Sequence, residues 1–287
     1  MKYEVRRTKG KVRMSNPVLI AVACLFVLVL ACDEGIENYK PEPNVHCVIE
    51  AGRDTVSLMA GMTLGYFDSI PDSGRWNGTA GVLAKVTHRD SEVGLSELAG
   101  PVGFYRAEPV RIVPGDTYHL TATYPGGAVV HGSTVVPDTF SLSDLRSDTV
   151  LYVPWPEETT WTVRVSFKWS ESRGAAAYFE ASEAWYKAGA DSMMMTMGPY
   201  PTNGRYDTLF VSPFGYEWDT LTQTLDSFPL DHVRLAILAA DQNNYDYFLI
   251  RWGMGGSELM HLDGGVGVFG SACVAETTFR FQPSDRH

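Results

Sequence analysis

Three glycines near the end of the chain have the spacing of a dinucleotide-binding loop. The segment DGGVGVFGSAC contains Gly265, Gly267 and Gly270, which match the pattern G-x-G-x-x-G. Such a loop follows a strand, opens a helix and needs a βαβ unit of about 30 residues around it. Too few residues follow Gly270, and their alternation in CVAETTFRFQP is typical of a strand. We therefore predict a turn that needs positive φ at 263–265 and close backbone packing at the later glycines, rather than a nucleotide site.

Four clustered methionines are a second group that could do chemistry. Met193, Met194, Met195 and Met197 lie within SMMMTMGPY, and thioether sulfur is a ligand of Cu(I). Side chains alternate between the faces of an extended chain, so Met194 would point away from the other three. No histidine lies within this segment to complete a copper site. Filling of irregular apolar gaps explains the cluster better, because the unbranched side chain adapts its shape.

The histidines and one acidic segment also lack the spacing of known metal sites. The seven histidines form no HxH or HExxH motif. His119 and His131 lie on either side of the turn signal PGG at 125–127, which offsets them by about two residues in a hairpin. The segment DQNNYD, which begins at Asp241, lacks the central glycine and the terminal glutamate of a calcium loop. We interpret it as the start of a helix with Asp241 or Asn243 as the N-cap, and we predict no metal site.

Motifs for covalent or acid–base catalysis are absent from the sequence. There is no G-x-S-x-G nucleophile elbow, and the GGS at 255–257 lies in a polar segment. Glu157 and Glu158 are adjacent carboxylates in a proline-flanked linker, where nothing indicates a glycosidase pair. We therefore predict that the protein is not an enzyme, has no catalytic residues and uses no cofactor.

Aromatic residues are the remaining candidates for ligand contact. Of the seven tryptophans, Trp76 in DSGRWNGTAG and Trp155 in VPWPEE fall on predicted loops. Aromatic rings present a large apolar surface and often a polar edge, which suits contact with a glycan or a protein partner. We predict such contacts for these two residues and assign the other tryptophans to core or inter-domain packing.

Residues 1–31 have the organisation of a bacterial lipoprotein signal peptide. Basic residues precede an uncharged apolar run from Pro17 to Leu30, which is too short to cross a membrane as a helix. The run ends in VLAC and resembles a lipobox, so Cys32 is the predicted lipidated residue and the first residue of the mature chain. An ordinary signal peptide with a chance cysteine and an uncleaved anchor are the alternatives, and Met14 is a second candidate start.

Removal of the signal segment makes the remaining chain strongly acidic. Residues 1–31 contain six of the 23 Lys and Arg residues and one of the 34 Asp and Glu residues, which leaves 17 basic and 33 acidic residues, a formal charge of −16. Nucleic-acid binding needs a basic surface, so this balance argues against a nucleic-acid partner. Solubility explains the acidity better than steering of a ligand does.

Two cysteines belong to the folded body. Cys47 lies in NVHCVIEAG, where Val45, Cys47 and Ile49 alternate with other residues as in a half-buried strand, and Cys273 lies near the end of the chain. Outside the cytoplasm such a pair can oxidise to a disulfide. The other interpretation is two buried apolar thiols, and the sequence leaves both open.

Short runs of β-forming residues separated by turn signals predict an all-β fold. After a lipid-anchored tether at 32–43, we predict two tandem β-sandwich (Ig-like) domains at 44–138 and 139–287. One short helix is expected late in the second domain, at Asn243–Met254, where apolar residues have helical spacing. The segment TFSLSDLRSDTVLYVPWPEETT is interpreted as a crossover that leads to strands in WTVRVSFKWSE and AAAYFEASEAWYKAG.

Several segments occur here in the order of a known family. They are the lipobox, CVIEAG, AGVLAKV, VRIVPGDTYHLTATYPGGAVVHGSTVVP, YDYFLIRW and LDGGVGVFGSA. Together they resemble the domain of unknown function 4249 family and cover most of the mature chain. The resemblance implies an outer-membrane lipoprotein, of a kind often thought to lie beside TonB-dependent receptors and polymer-uptake systems. The family has no established catalytic or binding residues, so no role is carried over to a residue of this chain.

The sequence thus predicts a non-catalytic lipoprotein of the cell envelope. We expect it to be anchored to the outer membrane by lipid and to serve as a binding or assembly accessory, with a TonB-dependent nutrient-uptake receptor or a glycan as candidate partners. An envelope polymer-degrading hydrolase and a purely structural envelope protein are the alternatives. The side of the membrane that the body faces stays open.

Overall fold

The computed structural model describes residues 40–64, 77–155, 158–180, 183–185, 193–196, 200–201, 205–211, 214–219, 224–229 and 232–281. Contacts divide the chain into two units, Met1–Pro41 with Leu64–Ile70 and Glu42–Thr63 with Pro71–His287. The described residues of the first unit are only 40, 41 and 64. The fold set out below is therefore that of the second unit.

The described part of the chain is mostly β-strand and contains one α-helix, so the predicted all-β class with a late helix is confirmed. The helix α1 is Gln242–Arg251, and a short 3-10 turn follows at Ser257–Leu259. The strands are β1 Pro43–Glu50, β2 Val56–Met62, β3 Leu83–His88, β4 Ser91–Glu97, β5 Phe104–Ala107, β6 Thr117–Thr123, β7 Val129–Val135, β8 Leu142–Trp155, β9 Glu158–Trp169, β10 Ala177–Glu180, β11 Glu183–Trp185, β12 Met193–Thr196, β13 Tyr200–Pro201, β14 Tyr206–Val211, β15 Phe214–Asp219, β16 Thr224–Pro229, β17 His232–Ala240, β18 Leu262–Asp263 and β19 Val266–Arg280.

Most of the strands belong to one large sheet. Its order is β12-β11-β17-β19-β1-β2-β5-β4-β3-β6-β7-β18, with β10 paired to β17 and β13 paired to β10. Strands β8, β9 and β14 form a separate antiparallel sheet in the order β14-β9-β8, and β15 pairs with β16. The long strand β19 joins the parts of the large sheet, because its first half runs parallel to β1 and its second half antiparallel to β17.

The first hydrophobic core lies between the strands that precede residue 138 and includes Phe269 of β19. Along β1 the side chains alternate as predicted, and Val45, Cys47 and Ile49 are buried while the residues between them are half-buried. Two fully buried tyrosines keep their hydroxyls satisfied: Tyr105 donates to a backbone carbonyl at 2.7 Å and Tyr118 to another at 3.2 Å. These bonds remove the cost of burying a phenol oxygen without a partner.

A second hydrophobic core lies between β9 and β17. The inward residues of β9 are Val163, Val165 and Phe167, and each is fully buried. They share this core with side chains of β17 and the end of β19, chiefly Val233, Leu235, Ile237, Phe279 and Phe281. Because side chains alternate along a strand, burial of these positions turns the intervening residues of β9 to the opposite face of the small sheet.

The predicted hairpin is present and has the predicted register. Strands β6 and β7 are joined by the turn at 124–128, where Gly127 has φ of 85°. His119 lies opposite Ser133 and His131 opposite Thr121, so the two histidines are offset by two positions, as the turn signal indicated. They do not face one another as a ligand pair.

The segment that was interpreted as a crossover is instead a strand, so that interpretation is wrong. Residues 142–155 form β8, which pairs antiparallel with β9 along most of its length. Its side chains between 143 and 149 are exposed, so the apolar alternation that marks a half-buried strand is missing from the sequence there.

The predicted boundary at 138 is crossed by the large sheet. Strand β18 pairs with β7, and the first half of β19 pairs with β1. Both pairings join segments from the two sides of the predicted division. The division into domains 44–138 and 139–287 stays a prediction.

Candidate functional site

Two of the predicted functional residues, Cys32 and Trp76, lie outside the described residues. Trp155 is the last residue of β8 and lies opposite Glu158 at the turn to β9. Its side chain and the side chains of the methionine cluster are also outside the described part. Lipidation at Cys32 and ligand contact at the two tryptophans therefore stay predictions.

The glycine motif is a turn followed by a strand, as predicted. Gly264 has φ of 80° and Gly267 has φ of 111°, conformations that L side chains rarely adopt. A Cβ at Gly267 would lie 1.9 Å from the carbonyl oxygen of Val45, and one at Gly270 would lie 2.8 Å from the Cβ of Asn244. The first contact allows β19 to pair with β1, and the second allows α1 to pack on β19. The strand β19 continues through the motif to Arg280, so the motif does not open a helix as a dinucleotide-binding loop does.

The structure decides between the two interpretations of the body's cysteines in favour of buried thiols. Cys47 and Cys273 are both free and buried, so the disulfide that the sequence left open is not formed. Cys47 lies opposite Phe269 on β19, and Cys273 follows four residues later on that strand. Four residues of strand extend about 13 Å, whereas disulfide-bonded residues have Cα atoms within about 7 Å. Burial raises the pKa of the Cys47 thiol to about 12 and also raises the pKa of Cys273.

A buried polar junction joins β7, β19 and the start of α1. Asp241 is the N-cap of the helix, and its Oδ1 accepts the backbone N–H of Asn244 at 3.0 Å and that of Ser271 at 2.9 Å. Its Oδ2 lies 2.5 Å from the hydroxyl of Thr134. Asp241, Thr134 and Ser271 are all at most 4% exposed. This confirms the capping role that the segment DQNNYD predicted.

The junction contains one more polar contact than its hydroxyl protons can supply. Oδ2 of Asp241 contacts Oγ1 of Thr134, which contacts Oγ of Ser271 at 2.7 Å, and that hydroxyl donates to the carbonyl of Val135 at 3.0 Å. Two hydroxyls provide two protons for these three contacts. A proton on Asp241 supplies the third, and burial raises the pKa of this carboxyl above its ordinary value. The number of contacts and the raised pKa both favour the protonated form of Asp241 more than in an exposed carboxyl.

A second buried carboxylate holds the segment after the helix. Asp246 accepts hydrogen bonds from Nε2 of Gln242 at 2.8 Å, and its other oxygen lies 2.7 Å from Nε2 of His261. The pair ties the 3-10 segment back to α1. Within the described residues, no three His, Cys, Asp or Glu side chains are placed to hold a metal ion. No helix in the described part is long and apolar enough to cross a membrane.

A charged groove lies on the outward face of the β14-β9-β8 sheet. It has a volume of about 840 Å³. Eight side chains of β8, β9 and β14 line this groove: Asp144, Arg146, Ser147, Asp148, Arg164, Ser166, Lys168 and Thr208. We refer to this set as the charged groove. It has the size of a small-molecule site and is far more polar than most of them.

Strand alternation and register build the charged groove. Arg164, Ser166 and Lys168 are the outward residues of β9, because the residues between them fill the second core. In register, Asp148 lies opposite Arg164 and Arg146 lies opposite Ser166. A β-bulge between 143 and 146, with φ of 53° at Asp144, interrupts the register at the other end, and aspartate adopts that conformation more readily than most residues.

Ion pairs hold the acidic residues of the groove in their charged form. Arg164 bonds both oxygens of Asp148, and Nζ of Lys168 lies 3.0 Å from Oδ2 of Asp144. The hydrogen bonds from Arg164 lower the pKa of Asp148, and the hydrogen bond from Lys168 lowers the pKa of Asp144. All four side chains are about half exposed, so each pair is weak and open to exchange with a ligand.

Arg146 lies in the middle row of the groove without an ion pair among the described residues. Its strand neighbour across the register is Ser166, whose Oγ lies 3.1 Å from Oγ1 of Thr208 on β14. The row thus consists of a guanidinium and two hydroxyls between two ion pairs. Three cations and two carboxylates give the groove a net positive charge, whereas residues 32–287 together have a formal charge of −16.

The sequence contains a signal for the charged groove, although none of the predicted sites includes it. The segment VRVSFKW alternates apolar residues with Arg164, Ser166 and Lys168, and DLRSD places Asp144, Arg146 and Asp148 at every second position. Alternation of this kind predicts a shared polar face on each strand. That the two faces lie side by side follows only from the pairing of β8 with β9.

Comparison with known proteins assigns no family. No family model and no curated protein matches the chain. Among solved structures, the chain is similar to a mutant of Salmonella alpha-2-macroglobulin, with 12% identity and a TM-score of 0.25. The similarity covers 84% of this chain and spans 15% of the length of that chain.

Proposed function

We propose that this protein is a non-catalytic, lipid-anchored binding protein of the cell envelope, and that the charged groove is its binding site. The observation that carries the proposal is the pairing of both groove carboxylates with cations. A general acid needs a raised pKa so that it holds a proton near neutral pH. In Asp144 and Asp148 the pKa is lowered instead, so these groups suit ionic and hydrogen-bonded contacts with a ligand.

The N-terminal sequence supports the anchored location. A basic segment, a short apolar run and the lipobox-like VLAC precede Cys32, and a polar tether follows it. Two or more acyl chains on one cysteine are enough for stable attachment to a membrane. We propose the outer membrane as the location, with a binding or assembly role beside a TonB-dependent nutrient-uptake receptor.

Metabolic labelling with radioactive palmitate tests the anchor. We expect label in the wild-type chain and none in Cys32→Ser, which should also leave the membrane fraction. Cys24→Ser is the matched control, because it removes a cysteine from the same apolar segment and should keep the label. Equal labelling of Cys32→Ser and wild type would exclude the lipobox assignment.

Co-purification tests the proposed partner. The acylated full-length protein is isolated from detergent-solubilised membranes, and the bound proteins are identified by mass spectrometry. A TonB-dependent barrel in stoichiometric amount is the expected result. Absence of such a barrel would remove the uptake role, and turnover of an envelope polymer by the purified protein would contradict the non-catalytic assignment.

A further inference from the structure

We propose that the charged groove binds a carboxylated saccharide, with Arg146 as the partner of the sugar carboxylate. This inference rests on the proposed binding function and gives its ligand a chemical class. It is drawn from three features of the groove: a cation, Arg146, with no ion pair among the described residues, a row of hydroxyls, and carboxylates that can only accept hydrogen bonds.

Arg146 determines that the ligand carries an anion. It is exposed, lies at the centre of the groove, and makes no ion pair among the described residues. A guanidinium presents two parallel N–H groups that match the two oxygens of a carboxylate. The rest of the body is acidic, so this cation attracts an anion to the groove and not to the surrounding surface.

The two carboxylates indicate that the ligand also carries hydrogen-bond donors. Asp144 and Asp148 are ionised, so each offers only acceptor oxygens to a ligand. A ligand with anionic groups alone would be repelled from both ends of the groove. Sugar hydroxyls donate to these oxygens, and they can also accept from the ammonium of Lys168, which has three N–H groups and uses one of them in its bond to Asp144.

The middle row matches the same ligand. The hydroxyls of Ser166 and Thr208 lie 3.1 Å apart and share one hydrogen bond, in which either oxygen can be the donor. A hydroxyl can both donate and accept hydrogen bonds. A sugar ring beside Arg146 therefore meets groups that both donate and accept, as its own hydroxyls do.

The dimensions of the groove suit a short stretch of a chain. Side chains on one face of a strand repeat about every 6.7 Å, so the three rows extend over about 13 Å. The volume of about 840 Å³ is at the upper end of the sizes of small-molecule sites. The groove thus holds an oligosaccharide of a few units with one carboxylate at its centre.

Calorimetric titration of the full-length protein in mild detergent tests the inference. The probes are trimers of galacturonate and of mannuronate and a hyaluronan tetrasaccharide, each with its carboxyl-reduced counterpart, and tetraglutamate. We expect at least one acidic saccharide to bind, at least tenfold tighter than its reduced form, with affinity that falls as salt is added. Arg146→Gln should weaken this binding at least tenfold, while Arg111→Gln, which changes an exposed arginine outside the groove, should not.

Three results would overturn the inference. They are no binding of any acidic saccharide, equal binding of the acidic and reduced forms, and affinity unchanged in Arg146→Gln. Binding of tetraglutamate as tight as that of the saccharides would assign the groove to an acidic peptide instead. These outcomes leave the anchor and the receptor partner untouched, since palmitate labelling and co-purification measure those without a saccharide.

Discussion

Replacement of Asp241 by asparagine should preserve the buried polar junction and remove its dependence on pH. Asparagine is neutral, and it offers one oxygen to accept the backbone N–H groups of Ser271 and Asn244. Its amide would donate to Thr134, as a protonated carboxyl would, whereas an ionised carboxylate accepts from that hydroxyl. The variant therefore mimics the protonated form of Asp241 at every pH.

The direction of the pH effect follows from the raised pKa of Asp241. Its stabilising protonated form is fully populated below the pKa of the unfolded chain, 3.8, and it is lost as the pH rises through the higher folded pKa. Over that window the wild type loses up to about 1.4 kcal/mol of unfolding free energy per pH unit from this group. Asp241→Asn loses none of it. The variant should match the wild type near pH 4 and become the more stable protein as the pH increases.

Replacement of Asp241 by alanine measures how much the junction contributes to the free energy of unfolding. It removes a helix cap, which contributes about 1 kcal/mol, and leaves the buried N–H of Ser271 without a partner, which costs about 2 kcal/mol. We expect a loss of about 3 kcal/mol near pH 4, which becomes smaller at higher pH because the wild type then loses the stabilisation that Asp241 provides. Asp90→Asn is the control for a carboxyl change on the exposed surface, and it should follow the wild-type profile.

Urea unfolding of the full-length protein, followed by tryptophan fluorescence between pH 4 and 8, measures these differences. The lowered pKa values of Asp116, Asp144 and Asp148 contribute with the opposite sign, since their stabilisation is lost as the pH falls. These contributions cancel when Asp241→Asn is compared with the wild type at each pH. A constant difference across the range, or a loss in Asp241→Asn as large as in the alanine variant, would refute the protonated junction.

Three further predictions concern single positions in the fold. Gly267→Ala should cost several kcal/mol, because the new Cβ meets a carbonyl oxygen at 1.9 Å and φ is 111°, whereas Gly126→Ala has open space and should change the melting temperature little. Cys47 and Cys273 should resist alkylation until the chain is unfolded, and peptide mapping without reductant should find no linked pair. Thr134→Val should cost about 1–3 kcal/mol in urea unfolding, since it removes the bridging hydroxyl, and an unchanged midpoint would contradict the bridge.

Local signals in the sequence were sufficient for several elements. The alternation of Val45, Cys47 and Ile49 predicted β1, and PGG at 125–127 predicted both the hairpin and its register. Asp241 was one of two candidate N-cap residues, and the helix begins directly after it at Gln242. In each case the signal and its structural consequence lie within about ten residues, so no long-range contact is needed to interpret them.

Strand β8 was missed because its environment is set by distant residues. Its side chains around Asp144 and Asp148 are exposed and charged, and the bulge breaks its period. A strand of this kind has no apolar face from which the sequence could predict it. It forms because the backbone of β9 provides hydrogen-bond partners for it. The charged groove could not be predicted for the same reason. Arg146 and Ser166 become neighbours only through a pairing that the sequence does not state.

Strand β19 leads to a last prediction, about cooperativity. It contributes Phe269 to the first core and Phe279 to the second, and between them Ser271 bonds Asp241. A segment shared by two cores cannot unfold from one without exposing apolar surface of the other. We therefore expect a single transition in which circular dichroism and tryptophan fluorescence coincide. Two separated transitions would show instead that 44–138 and 139–287 fold as independent domains, with β19 held by only one of them.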